Sequence, residues 1–276
     1  MGGRRSLLVM AALATVVIAG MGSTTTTAVA APAYPSSMGA LGDSITRAYD
    51  VCCSYADHPG KSWSTGSDSD TITSHYEHLV KLNPAISGHA ANLAVTGAKM
   101  SSGPTQAGNL PSDVQYVTIL LGANDVCTSS PSTMTSTSSF ESQFWNTLFN
   151  VHWKAPNARV FVSSIPDVYQ LWSTLRGNPA ARLVWAGAKI CQSMLSGSNT
   201  DSQRQAVLAR EKEFNTVLAS VCGSANYSAF CRWDDLATYK VAFSSSQVSK
   251  LDYFHPNESG QAVLASTTWA ASYWGS

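Results

Sequence analysis

Apolar positions along the chain alternate between two periods, and the alternation predicts a layered α/β fold. Residues 38–41 form a short apolar run that turns at Gly42, and 114–121 (VQYVTILL) is a β-branched run stopped by Gly122. Residues 86–95 contain a strand ending near Gly97, and 159–165 (RVFVSSI) form another that ends at Pro166. Short runs of this kind, bounded by Gly or Pro, read as buried strands. Between them, residues 72–81, 140–153, 179–195, 203–221 and 258–273 carry apolar residues at helical spacing. Strands that alternate with helices predict a parallel central sheet covered on both faces, a three-layer α/β/α sandwich. In such sheets, ligands bind beyond the carboxyl ends of the strands. Ser44, Gly97 and Asn124 each follow a predicted strand, so all three are expected on that one edge. Ser/Thr-rich stretches at 24–27 and 128–139 have the composition of loops. Residues 52–69 lack periodicity, and because they leave the turn that bears Ser44, they are expected to lie over the edge. No internal repeat is present.

The first 30 residues are set apart from the fold. Arg4 and Arg5 precede an apolar stretch from 7 to 22, a Ser/Thr run follows, and Ala28-Val29-Ala30 has the small-x-small pattern of a signal cleavage site. The stretch is short for a span, which needs about 20 apolar residues. Residues 1–30 are therefore expected to be a secretory signal and 31–276 a single extracellular domain without a stable membrane span. That domain is also expected to be monomeric. It would carry 15 basic and 17 acidic residues, a net charge of −2 with His neutral. No basic stripe is present, which argues against nucleic acid as a partner.

All six cysteines lie beyond residue 30, and an even count behind an export signal suggests disulfides. Many pairings are open. Cys222–Cys231 would close a short loop and Cys127–Cys191 would tie a post-strand loop to a helix. Cys52–Cys53 is then left as an adjacent pair. No Cys-x-x-Cys spacing is present, and no metal or other cofactor is expected.

Candidate chemistry sits in four short blocks. Gly42-Asp43-Ser44 presents a hydroxyl at a strand end, and Asp252-Tyr253-Phe254-His255 presents an imidazole with a carboxylate three residues before it. A serine hydroxyl needs a base to remove its proton, and imidazole does this well near neutral pH. The Asp252 carboxylate could hold the other ring nitrogen and stabilise the imidazolium. The backbone N–H groups of Ser44 and Gly97 and the side-chain amide of Asn124 are the available donors for an oxyanion. Glycine at 97 allows close approach of backbone and substrate.

These blocks resemble those of the SGNH hydrolases, a branch of the GDSL esterases and lipases. Gly42-Asp43-Ser44-Ile45 is similar to their first block, Gly97 to the second, Gly122-Ala123-Asn124-Asp125 to the third and Asp252-Tyr253-Phe254-His255 to the last. The serine lies near the start, in Gly-x-Ser-x-Thr, and not in the Gly-x-Ser-x-Gly elbow of α/β-hydrolases. The resemblance covers nearly all of the expected mature chain and looks most like secreted actinobacterial esterases of phospholipase-A1-like and lipase-like type. It implies a flavodoxin-like sandwich, an exposed site without metal, and an ester substrate, either a lipid or a short acyl ester. Some secreted members use a backbone carbonyl in place of the acid, which leaves the group that orients His255 open. A carbohydrate O-acetyl esterase is the alternative substrate class. A binding domain that kept the fold and lost the chemistry is the non-enzymatic one.

Plainer roles are expected for other residues. Asp43 and Asp125 should orient their loops. His75 and His78, flanking Glu77, should belong to a solvated helix face. Trp145, Trp153 and Trp185 should pack helices, and Trp63 suits either the core or a pocket wall.

Overall fold

The computed structural model describes residues 1–3 and 32–275. The expected signal, residues 1–30, lies outside the described residues apart from its first three positions. The chain divides into two units, Met1–Ala31 and Pro32–Ser276, and every element below belongs to the second. Among the described residues, no helix is long and apolar enough to cross a membrane.

Five parallel strands form the sheet in the order β2-β1-β3-β4-β5: β1 (Met38–Gly42), β2 (Ala90–Asn92), β3 (Tyr116–Leu120), β4 (Arg159–Val162) and β5 (Cys231–Trp233). The order reverses between β1 and β3, because the chain runs outward from β1 to β2 and then returns to pair β3 on the other side of β1. Such a reversal opens a crevice at the carboxyl edge.

Strand composition follows from burial on both faces. All five residues of β3 are buried, and successive side chains point to opposite layers. Val117 and Ile119 enter the larger core with Val160 and Val162 of β4. Tyr116 and Phe161 face the opposite layer with Met38. The larger core is covered by α2 (Gly103–Gly108), α4 (Thr137–Lys154) and α8 (Asp201–Cys222), joined by α5 (Val168–Leu175), α6 (Pro179–Gly187) and α7 (Gln192–Leu195). The opposite face is covered by α1 (His75–Leu82) and α9 (Glu258–Ala271). Capping fixes where these helices start. Ser74 and Glu77 close a reciprocal box at α1, Thr200 and Gln203 do so at α8, and Asn257 accepts the Gly260 N–H at α9.

Several expectations change. The predicted helix 179–195 is two helices, because Lys189 (φ 53°) and Cys191 (φ 40°) adopt left-handed backbone where the Cys127–Cys191 bridge holds the chain. His75 does not face solvent. It is fully buried, hydrogen-bonds Tyr116 Oη and Thr268 Oγ1 at 2.9 Å each, and burial pushes its pKa down to about 3. Trp63 is core, its ring set edge-on to His75. Of residues 52–69, therefore, only the first part reaches the carboxyl edge, and Ser64 is buried against Thr118 of β3. Trp153 is 79% exposed, unlike the buried Trp185.

Two disulfides are formed, Cys127–Cys191 and Cys222–Cys231. Cys52 and Cys53 are exposed and carry no bridge in the structure, although their sulfur atoms face each other at 2.6 Å. Adjacent residues across a trans peptide hold their Cα atoms about 3.8 Å apart, short of the roughly 4.4–6.8 Å that a relaxed disulfide spans. Mild alkylation of the native protein should label Cys52 and Cys53 and spare the other four, as peptide mass mapping would read. Because the Cys127–Cys191 bridge encloses 64 residues and Cys222–Cys231 only 9, opening the first should cost about 4 kcal/mol and the second about 3 kcal/mol. Chemical denaturation of the Cys127→Ser and Cys222→Ser variants checks that order.

Candidate active site

Ser44 stands just past the end of β1. Its segment is a run of tight turns, with the Arg47 N–H on Asp43 O (3.0 Å) and the Tyr49 N–H on Ser44 O (2.9 Å). Gly42 is required at the entry. A Cβ there would lie 2.3 Å from Thr46 Oγ1 and 3.1 Å from Leu120 O. The Gly42 peptide is gripped from outside the strand by one side chain. Gln106 of α2 accepts the Gly42 N–H (2.8 Å) and donates to Gly42 O (2.9 Å). Gln261 of α9 donates to Ile45 O (2.8 Å) and Asn92 at the end of β2 donates to Thr46 O (2.9 Å). Three amides from three elements thus fix the turn. Sequence reasoning missed all of them. A glutamine in a Gly-Pro-Thr-Gln-Ala-Gly context carries no local sign of a contact 64 residues away.

His255 comes from the loop that precedes α9. Its Nε2 lies 2.7 Å from Ser44 Oγ, and its Nδ1 is paired with Asp252 Oδ2. The other carboxylate oxygen, Oδ1, accepts the N–H groups of Phe254 (2.9 Å) and His255 (3.1 Å). This close turn needs Tyr253 at φ 55°, a left-handed backbone, and Trp185 Nε1 holds it by donating to Tyr253 O (3.0 Å). Asp252 is 4% exposed. Burial pushes its pKa up, but the hydrogen bond and charge of His255 and the two backbone donors together outweigh that, and the net shift is downward.

Gly97 and Asn124 meet the same edge. Gly97 has φ +80°, a conformation that favours glycine, and faces open space. Asn124 lies in the short helix α3 (Ala123–Val126) directly after β3. Its Nδ2 donates to Ala98 O (3.0 Å), which uses one of the two amide N–H bonds. Asp125 Oδ2 accepts the Met100 N–H (2.8 Å) and Oδ1 accepts from Thr135 Oγ1 (2.7 Å), so this carboxylate joins the Gly97 loop to α3. No protein acceptor meets the N–H of Ser44 or Gly97 among the described residues. Asp43 orients the serine turn by accepting the Ile45 N–H (2.9 Å), while its Oδ2 is buried without a partner. Burial pushes the Asp43 pKa up to about 7.

Around these groups opens a cleft of about 520 Å³. Ser44, Gly97, Asn124 and His255 lie on its floor side, and Tyr55, Val184, Ala188, Ile190 and Phe254 contribute apolar wall. A narrow slot of about 50 Å³ lies on the other side of His255, between Ile45, Leu171, Phe243 and Phe254. A hydroxyl with a base at 2.7 Å, a carboxylate on that base, and a cluster of unengaged N–H donors can carry acyl transfer.

Residues 38–267 match the family of GDSL-like lipases and acylhydrolases. The chain belongs to that family. That family, by its description, is one of ester-hydrolysing enzymes. Membrane-associated phospholipase B1 of Mus musculus is 24% identical over 230 residues, which are 71% of this chain and 16% of that protein. The chain thus spans about a sixth of the length of that curated relative. Two solved structures share the fold. The extracellular lipase of Streptomyces rimosus aligns with a TM-score of 0.50 at 16% identity, over 86% of this chain and 99% of the lipase. TesA aligns with a TM-score of 0.50 at 14% identity, over 85% of this chain and 97% of TesA.

Gln106→Ala should strand the Gly42 N–H in a buried place, while the Gly42 carbonyl keeps the Val95 N–H at 3.1 Å. Leaving one buried donor unpaired costs about 1–3 kcal/mol, so urea denaturation should show a loss of that size, with a fall in ester turnover as Ser44 loses its fixed turn. Asp43 gives a pH signature. Its folded pKa of about 7 exceeds the ordinary 3.8, so the folded state binds the extra proton, and stability falls as pH rises between those values. Asp43→Asn should flatten that fall, as denaturation midpoints at pH 4 to 7.5 would show.

Proposed function

We propose that the chain is an exported esterase that cleaves lipid or short acyl esters through an acyl-enzyme on Ser44. The observation that carries this reading is the contact of 2.7 Å between Ser44 Oγ and His255 Nε2, with Asp252 on the opposite ring nitrogen. His255 takes the hydroxyl proton as Ser44 Oγ attacks the ester carbonyl. The tetrahedral oxyanion is met by the N–H groups of Ser44 and Gly97 and the amide of Asn124. Collapse expels the alcohol, which takes the proton back from His255. Water, activated by the same imidazole, then releases the acid. Asp252 holds the ring tautomer and stabilises the imidazolium, and its placement on Nδ1 favours the carboxylate over a backbone carbonyl in that role.

The apolar residues lining the cleft favour an acyl chain over a polar sugar ring, which supports lipid or short acyl esters ahead of carbohydrate O-acetyl esters. The expected signal at residues 1–30 and the two disulfides support export, since disulfides persist in oxidising compartments.

Hydrolysis of p-nitrophenyl esters of increasing chain length, of a phospholipid and of acetylated xylan separates the substrate classes. Preference for acetylated xylan would overturn the lipid reading. Ser44→Ala should reduce turnover by about a millionfold. Asn124→Ala should reduce it by about 10²–10³-fold with KM little changed, as loss of one oxyanion donor does. Asp252→Asn should lower kcat by about 10⁴-fold; a loss below tenfold would move the orienting role to a backbone carbonyl.

A further inference from the structure

A second aspartate stands beside the Ser44–His255–Asp252 group, unused by the steps above. Asp50 ends the run of turns that begins at Ser44. It is 1% exposed, and its Oδ1 is buried without a hydrogen-bond donor. Its backbone is left-handed, φ 56°, and its N–H is bound to Ala56 O at 3.0 Å, so the backbone that bears the side chain is fixed. A carboxylate oxygen of Asp50, one of Asp252 and a ring nitrogen of His255 all lie within 4.8 Å of one another.

Two ionised carboxylates at that spacing repel strongly in a dry site. The Arg47 guanidinium is taken by Asp57 at 2.9 Å, and Lys189, in the link between α6 and α7, lines the same cleft and makes no ion pair with either carboxylate. The remaining titratable neighbours are Tyr49 and Tyr55 on Asp50's own loop, with the Tyr49 ring set edge-on to His255. Asp252 has room for one more donor. A carboxylate offers about four acceptor positions, and three are filled by His255 Nδ1 and the N–H groups of Phe254 and His255.

We propose that Asp50 is a positioning residue that, in its protonated form, donates a hydrogen bond to Asp252 and thereby fixes the carboxylate that orients His255. The arrangement extends the relay by one member, Asp50–Asp252–His255–Ser44, and rests on the reading of those last three residues given above. Burial, and next the charge of Asp252, push the Asp50 pKa up to about 7, which suits a carboxylic acid that donates. As pH rises past that value, the donor becomes a second anion against Asp252.

The test uses two substitutions that tolerate a left-handed backbone. Asp50→Asn keeps a donor and loses the titration. Asp50→Gly loses the donor. Asp50→Asn is expected to keep kcat within about threefold of the parent at neutral pH and to abolish an alkaline decline that the parent shows from about pH 7. Asp50→Gly is expected to lower kcat about 10- to 100-fold with KM little changed, the worth of one hydrogen bond to a charged acceptor. In an Asp252→Asn background the Asp50→Gly effect should shrink below twofold, since Asp50 acts through Asp252. Chelation with EDTA should leave activity unchanged. The proposal is overturned if Asp50→Gly is fully active, if both substitutions lose equally, if the Asp50→Gly loss is undiminished in the Asp252→Asn background, or if EDTA abolishes activity and so puts a cation where the proton is assigned. Each of these outcomes leaves the serine mechanism standing provided that Ser44→Ala is inactive. An active Ser44→Ala would remove that mechanism first.

Discussion

A parallel sheet buried on both faces has no surface on which to build a site, and this constraint organises the molecule. Helices cover both faces of β1, β3 and β4, so every polar group that must meet a substrate has to come from the rim. The order reversal between β1 and β3 then selects which part of the rim. There the chain leaves β1 into the Ser44 turn, β2 toward Gly97, and β3 into the Asn124 helix, and the three exits converge because their strands are neighbours. His255 arrives from another direction, on the loop before α9, and is brought to Ser44 by a helix that packs on the opposite face from α8.

Precision at the rim comes from side-chain amides. Gln106, Gln261 and Asn92 each give at least one hydrogen bond to a backbone group of residues 42–46. Backbone so held has lost its freedom during folding, and no reorganisation is left for the reaction itself. Asp125 does the same for the other side of the cleft, joining Met100 to the Asn124 helix.

The parts legible in the sequence were those with local signals. β3 is a run of β-branched residues closed by glycine, α8 has a capping box and a long periodic stretch, and the four motif blocks stand in order with their strands. What was not legible depends on contacts distant in the chain. β5 is three residues, Cys231–Trp233, too short to show alternation. α2 contains Gly103, Pro104 and Gly108, a composition that reads as a turn, and it is stabilised by its packing on α4. α5 follows directly on Pro166, which masks its start. The break between α6 and α7 is imposed by the Cys127–Cys191 bridge, and nothing in 179–195 announces it. Asp50 and Gln106 likewise look like ordinary polar residues until the fold brings Asp252 to one and Gly42 to the other.

The Cys127–Cys191 bridge has a further meaning for recognition. Cys127 lies three residues after Asn124, and Cys191 lies at the end of the wall formed by Val184, Ala188 and Ile190. One covalent link therefore joins the donor side of the cleft to its apolar wall and sets the distance between them. A wall tied in this way to the donor side has less freedom left to lose when an acyl group orders it. Selectivity among acyl groups then becomes a matter of steric fit to a rigid gauge, and substitutions at positions 184 and 188 would regrade that gauge without disturbing the chemistry at its base.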